Sequence, residues 1–76
     1  MRIQVTQQDI DNGTRREGDS CPIALACSRL GLEVDVHNTS IEIADKLHRL
    51  PHEAIRFVSN FDDGNDVLPF EFEVAL

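Results

Sequence analysis

The residues able to do chemistry in this sequence are two cysteines, three histidines and a surplus of carboxylates. Cys21 stands near the start of the stretch D-S-C-P-I-A-L-A-C-S-R-L-G (Asp19–Gly31), where a helix dipole lowers a thiol pKa. A nucleophilic cysteine also needs a base and an oxyanion site, and the spacing brings none of His37, His48 or His52 to it. Cys21 therefore reads as a structural, partly buried thiol, and Cys27, on the apolar stripe of the same helix, as core. Six residues of helix rise about 9 Å, too far for a disulfide, so both are expected to be free. Zinc sites show about four ligands in close pairs, which C-x5-C does not supply. His48 and His52 are separated by Pro51, which interrupts a continuous helix. Asp62-Asp63-Gly64-Asn65-Asp66 lacks the alternating ligands and distal glutamate of a calcium loop. There is no phosphate-binding glycine loop, G-x-S-x-G or Ser/His/Asp pattern. No catalytic residue, metal ligand or cofactor is assigned, and the chain is expected not to be an enzyme.

The elements that position these residues follow from periodicity. Ile23, Ala26, Cys27 and Leu30 recur at helical spacing, with Asp19 or Ser20 as the expected cap, Pro22 in the first turn and Gly31 as the stop. Before this helix, Ile3 and Val5 alternate with Arg2, Gln4 and Thr6 as a half-buried strand. Thr6-Gln7-Gln8-Asp9 has capping-box form and predicts one helical turn, ending at Asn12-Gly13. After Gly31 the period becomes two: Leu32, Val34 and Val36, a turn at His37–Ser40, then Ile41 and Ile43, together a hairpin. Ala44-Asp45-Lys46 turns again into a short strand, Leu47–Leu50. Pro51 opens a second helix with the stripe Ala54, Phe57, Val58, Phe61, and Phe70–Val74 is a last alternating strand. This order predicts an α+β fold: one single-layer antiparallel or mixed sheet of four to five strands, with two helices on one face. Residues 1–76 are read as a single domain.

If the apolar residues face the helices, alternation puts Glu33, Asp35, Glu42, Glu71 and Glu73 on the opposite face of the sheet. Residues two apart on a strand lie about 6.6–7 Å apart, close to the spacing of phosphates, so this face can imitate a nucleic acid. An ordinary solvated acidic surface explains the same residues more simply. A second patch, Lys46, His48, Arg49, His52 and Arg56, gathers bases at the start of the second helix, where it can hold an acidic group or simply balance Asp45 and Glu53.

The net charge of −7 weighs against direct nucleic-acid binding, which needs a basic footprint, and against an anionic membrane surface. No apolar run approaches the roughly 18 residues of a membrane span. Met1–Val5 alternates like a strand and shows no signal-peptide core, so the expected location is the cytoplasm of a host cell.

Taken together, V-T-Q-Q-D-I-D-N-G (Val5–Gly13), C-P-I-A-L-A (Cys21–Ala26), L-P (Leu50–Pro51) and F-V-S-N-F-D-D-G…P-F-E-F (Phe57–Phe72) resemble a group of short bacteriophage and prophage proteins without an assigned activity. The resemblance carries over no functional residue. It implies a context, since small accessory phage proteins act by binding and inhibiting host machines, acidic inhibitors of nucleic-acid-guided defence among them. The expectation is a non-enzymatic, anti-CRISPR-like binder whose acidic face docks on the basic groove of a host protein or nucleoprotein complex. The alternative is a homo-oligomeric assembly module, a homodimer for instance, pairing through a strand edge.

Overall fold

A computed structural model of the chain describes residues 1–75. In chain order the elements are β1 (Arg2–Val5), α1 (Gln7–Asn12), α2 (Pro22–Arg29), β2 (Val34–Val36), β3 (Ser40–Ile43), β4 (Lys46–Arg49), α3 (His52–Asp62) and β5 (Phe70–Glu73). The α+β class read from the sequence is the class the chain adopts.

The expected single sheet is corrected. The strands form an antiparallel pair, β1–β5, and a separate antiparallel meander, β2–β3–β4. The edge of β2, where a further strand would add, is capped by a loop: the Val36 N–H donates to the Gly18 carbonyl at 2.9 Å. On the other side, β4 reaches the residues after β5 through a side chain, His48, whose Nδ1 lies 3.1 Å from the Ala75 carbonyl oxygen. Main-chain ladders therefore close within each sheet and do not run between them.

One core nonetheless serves both sheets. Ile3, Val5, Phe72 and Val74 from the terminal strands meet Val36, Ile41 and Ile43 from the meander, with Ile23, Ala26 and Cys27 of α2 and the whole α3 stripe. Each fully buried Ile or Val contributes about 1.5–3 kcal/mol before entropy is counted. Val34 and Phe70, expected inside, are half-buried. α2 contacts both β1 and β2, so it spans the two sheets, and α3 is anchored on β5 by the stack of Phe57 on Phe70, centroids 4.6 Å apart.

The local signals were largely sufficient. Thr6 and Asp9 form the reciprocal capping box, Asp9 N–H to Thr6 Oγ1 at 3.2 Å and Thr6 N–H to Asp9 Oδ2 at 2.9 Å. α2 ends in a Schellman motif at Gly31 (φ +80°), with Leu32 N–H bonded to Cys27 O and Gly31 N–H to Ser28 O. Its start differs from expectation: Cys21 is the N-cap and makes no side-chain cap bond. Asp19 and Ser20 are left in the loop, where Ser20 N–H bonds Glu17 O and Ser20 O accepts from Thr14 N–H. Pro51 is likewise the residue before α3 and not its first. Both shifts are of one or two residues, because a proline fixes φ without deciding which neighbour makes the first helical bond.

Candidate functional site

The five carboxylates expected on one face fall in two places. Glu71 and Glu73 lie on β5, where register sets Gln4 opposite Glu71 and Arg2 opposite Glu73. Arg2 Nη1 is 3.3 Å from Glu71 and its Nε is 3.1 Å from Glu73, and the N-terminal ammonium is 3.4 Å from Glu73. Gln4 Nε2 adds a hydrogen bond to Glu71 at 3.2 Å. This half of the acidic set is compensated where it stands.

The other half is not. Asp35 on β2 faces Glu42 on β3 directly, and like charges directly opposed across strands are destabilising. The basic side chain beside them is an imidazole: His37 Nε2 lies 4.0 Å from Asp35 Oδ2 and 3.7 Å from Glu42 Oε1. Glu33, immediately before β2, is exposed.

Two grooves flank this cluster. The first, about 770 Å³, opens between the loop before α2, the β2–β3 turn and α3. Ile23, Ile55, Phe57 and Val58 contribute to its apolar part, and its polar lining has both signs, with Arg16 and Glu17 on the loop side and Asp62 and Asp63 at the C-terminal end of α3. The second, about 670 Å³, runs between α2 and the open end of the β2–β3 hairpin. Five carboxylates line it, Asp19, Glu33, Asp35, Glu42 and Asp45, and no lysine, arginine or histidine among the described residues does. Asp35 lines both grooves and marks the ridge between them.

The non-glycine residues with left-handed backbone line the same two grooves. Arg16 (φ 63°) borders the first, and Ala44 (φ 52°) and Asp45 (φ 64°) border the second. Ala44-Asp45 is the two-residue turn between paired Ile43 and Lys46, and a turn with positive φ at both positions usually takes Asn-Gly or Gly-Gly. The Ala44 conformation costs about 1–2 kcal/mol.

Cys21 lines the first groove but is buried, and burial, the largest influence, pushes its thiol up past the opposing effect of nearby Ala24 and Ile23 N–H groups. Cys27 is fully buried and its pKa is raised to about 11 by burial and then by Cys21. Both are free thiols, and both stay protonated at neutral pH, so neither offers the thiolate that nucleophilic chemistry requires.

The basic patch does not converge. On β4, side chains alternate, so Lys46 and His48 point to the side of Ile43 and Ile41 while Arg49 points to the side of Glu42. His52 and Arg56 lie on the exposed side of α3. None of the five borders either groove.

Sequence reasoning missed Asp19 and Asp45 as members of the acidic groove: Asp19 joins it because α2 packs beside the hairpin, and Asp45 because the turn after β3 borders the same space. It also missed the convergence of Asp35, His37 and Glu42. There a signal existed: D-x-H places two side chains on one strand face, and the hairpin register puts Glu42 across from them. Compared with known protein families, curated proteins and solved structures, the chain matches none. No helix among the described residues is long and apolar enough to cross a membrane.

Proposed function

We propose that this chain is a small non-enzymatic binding protein that docks a basic segment of a partner in the groove between α2 and the β2–β3 hairpin. In the setting suggested by the phage-protein resemblance, it is an accessory protein of a phage or mobile element, and the partner is a host nucleic-acid-handling complex of the defence type. Such machines carry basic channels for nucleic acid, and a concave array of carboxylates competes for the same lysines and arginines. The observation that carries the reading is the lining of that groove: Asp19, Glu33, Asp35, Glu42 and Asp45, with no lysine, arginine or histidine among the described residues. It favours the groove over the sheet face as the contact surface, since Glu71 and Glu73 already have Arg2 and the N-terminus.

The test is capture from bacterial host lysate with identification of retained proteins by mass spectrometry. A partner should be retained by the native chain, released by salt, and lost by the double variant Glu33→Lys, Asp45→Lys. The variant Glu71→Lys, Glu73→Lys should retain it. Undiminished capture by the groove variant overturns the reading, and equal loss from both variants replaces it with a diffuse charge effect.

A second reading, homo-oligomerisation through a strand edge, has one observation in its favour. β4 is an outer strand of its sheet and carries Leu47 at 67 % exposure. Light scattering across a concentration series decides it: a strict monomer removes this reading.

A further inference from the structure

We infer that Asp35, His37 and Glu42 form a binding site for a divalent transition-metal ion of the zinc or manganese kind. One donor atom from each residue lies within 4.8 Å of the other two, with Nε2 of His37 at 4.0 Å from Asp35 Oδ2 and 3.7 Å from Glu42 Oε1. Donors about 2.0–2.2 Å from a shared ion sit roughly 3 Å from one another, so the set closes around an ion by side-chain movements on the order of an ångström. The side chains are free to make them, two being exposed and Glu42 half-buried.

The backbone beneath is fixed. Asp35 and Glu42 are register partners, and the His37 N–H donates to Ser40 O at 2.8 Å, which holds the histidine at the end of the ladder. Asp35 is seated from behind as well. A Cβ at Gly18 would overlap Asp35 Oδ1 and the Val36 carbonyl oxygen, so the missing side chain there leaves room for this carboxylate, whose other oxygen is toward His37.

Two opposed carboxylates with an imidazole between them carry an excess of negative charge that an ion relieves. One nitrogen and two oxygen donors suit a borderline first-row ion; calcium and magnesium prefer all-oxygen sets. The remaining coordination positions face water, so the site is open. It depends on no partner protein, and its failure would leave the acidic-groove reading standing.

The experiment is calorimetric titration of the chain with Zn²⁺, Mn²⁺, Mg²⁺ and Ca²⁺ in turn, with amide NMR spectra at each stage. One equivalent of Zn²⁺ or Mn²⁺ should bind, with shifts centred on residues 35–42. His37→Ala and Glu42→Gln should each weaken binding by more than about tenfold, while His48→Ala and His52→Ala leave it unchanged. All four side chains are at the surface or half-buried, so circular dichroism should show native folding throughout. Absence of saturable binding, or full binding by His37→Ala, overturns the site; tighter binding of Ca²⁺ or Mg²⁺ than of Zn²⁺ overturns the ion class.

Discussion

The two sheets carry the same kind of outward-facing residue and treat it in opposite ways. On β1–β5 every outward glutamate has a counter-charge within 3.4 Å, supplied by Arg2 and the N-terminal ammonium. On β2–β3 the outward pair Asp35 and Glu42 face each other, with His37 alone between them. In sequence the two strands look alike, E-V-D-V against F-E-F-E. What separates them is the partner strand: β5 is paired with the strand that begins M-R-I-Q, and β2 with S-I-E-I. Alternation assigns a residue to a face, but register decides whether that face is neutral or charged.

The comparison holds only if both sheets belong to one cooperative unit, and this gives the largest expected effect. Ile3 in β1 and Ile41 in β3 are both fully buried in the shared core. Ile3→Ala and Ile41→Ala should each cost about 2–5 kcal/mol, a large share of a small domain's total. Each should lower the urea midpoint without changing the slope, monitored by far-UV circular dichroism. If one variant melts its own sheet and leaves the other native by NMR, the two sheets fold independently and the contrast between them loses its common reference.

A smaller effect comes from the buried carboxylate that joins the first sheet to α2. Asp9 accepts the Thr6 N–H and pairs with Arg29, whose Nη2 also donates to the Gln4 carbonyl at 2.9 Å. Burial is the largest single influence and raises the Asp9 pKa. The Thr6 backbone bond, Arg29 and the Thr6 hydroxyl together outweigh it, so the carboxyl titrates below its usual value. A depressed folded pKa stabilises above the unfolded value of about 3.9 and is lost as pH falls through the folded one. Asp9→Ala should cost about 1–2 kcal/mol at neutral pH through loss of the cap and the pair. Its stability should fall less steeply than that of the native chain on acidification below about pH 4. Parallel pH profiles for the two proteins would sink this account of Asp9.

Much of this was legible in the sequence for identifiable reasons. Thr6-x-x-Asp9, Gly31 and the stripe Ala54-Phe57-Val58-Phe61 are local signals, each satisfied within a few residues, and each element they predict is present. The division into two sheets was not legible. It depends on the Gly18 carbonyl capping the edge of β2, a contact between a polar loop and a strand that no periodicity announces. The acidic groove was half legible: Glu33, Asp35 and Glu42 follow from alternation, whereas Asp19 joins them only through the way α2 lies beside the hairpin, and Asp45 through the turn after β3. The turn at Ala44-Asp45 was legible from the strands on either side, but its left-handed backbone was not, since Ala44 is not a residue that favours positive φ.

The contrast in charge is sharpened most directly by one chemical change made on both sheets. Glu71→Gln removes a partner of Arg2 from an exposed pair, and such pairs contribute at most about 1 kcal/mol, so a slight loss of stability is expected. Glu42→Gln removes one of two opposed carboxylates, a cross-strand clash worth about 0.2–1 kcal/mol, so a gain is expected. The measurement is the urea midpoint in metal-free buffer, with both variants and the native chain at one pH and one salt concentration. Opposite signs mean that β2–β3 keeps its charges at a cost to folding, which is how residues held for binding behave. Equal signs would mean that Asp35 and Glu42 cost folding no more than Glu71 and Glu73 do, and the contrast in charge between the two sheets would have no energetic content.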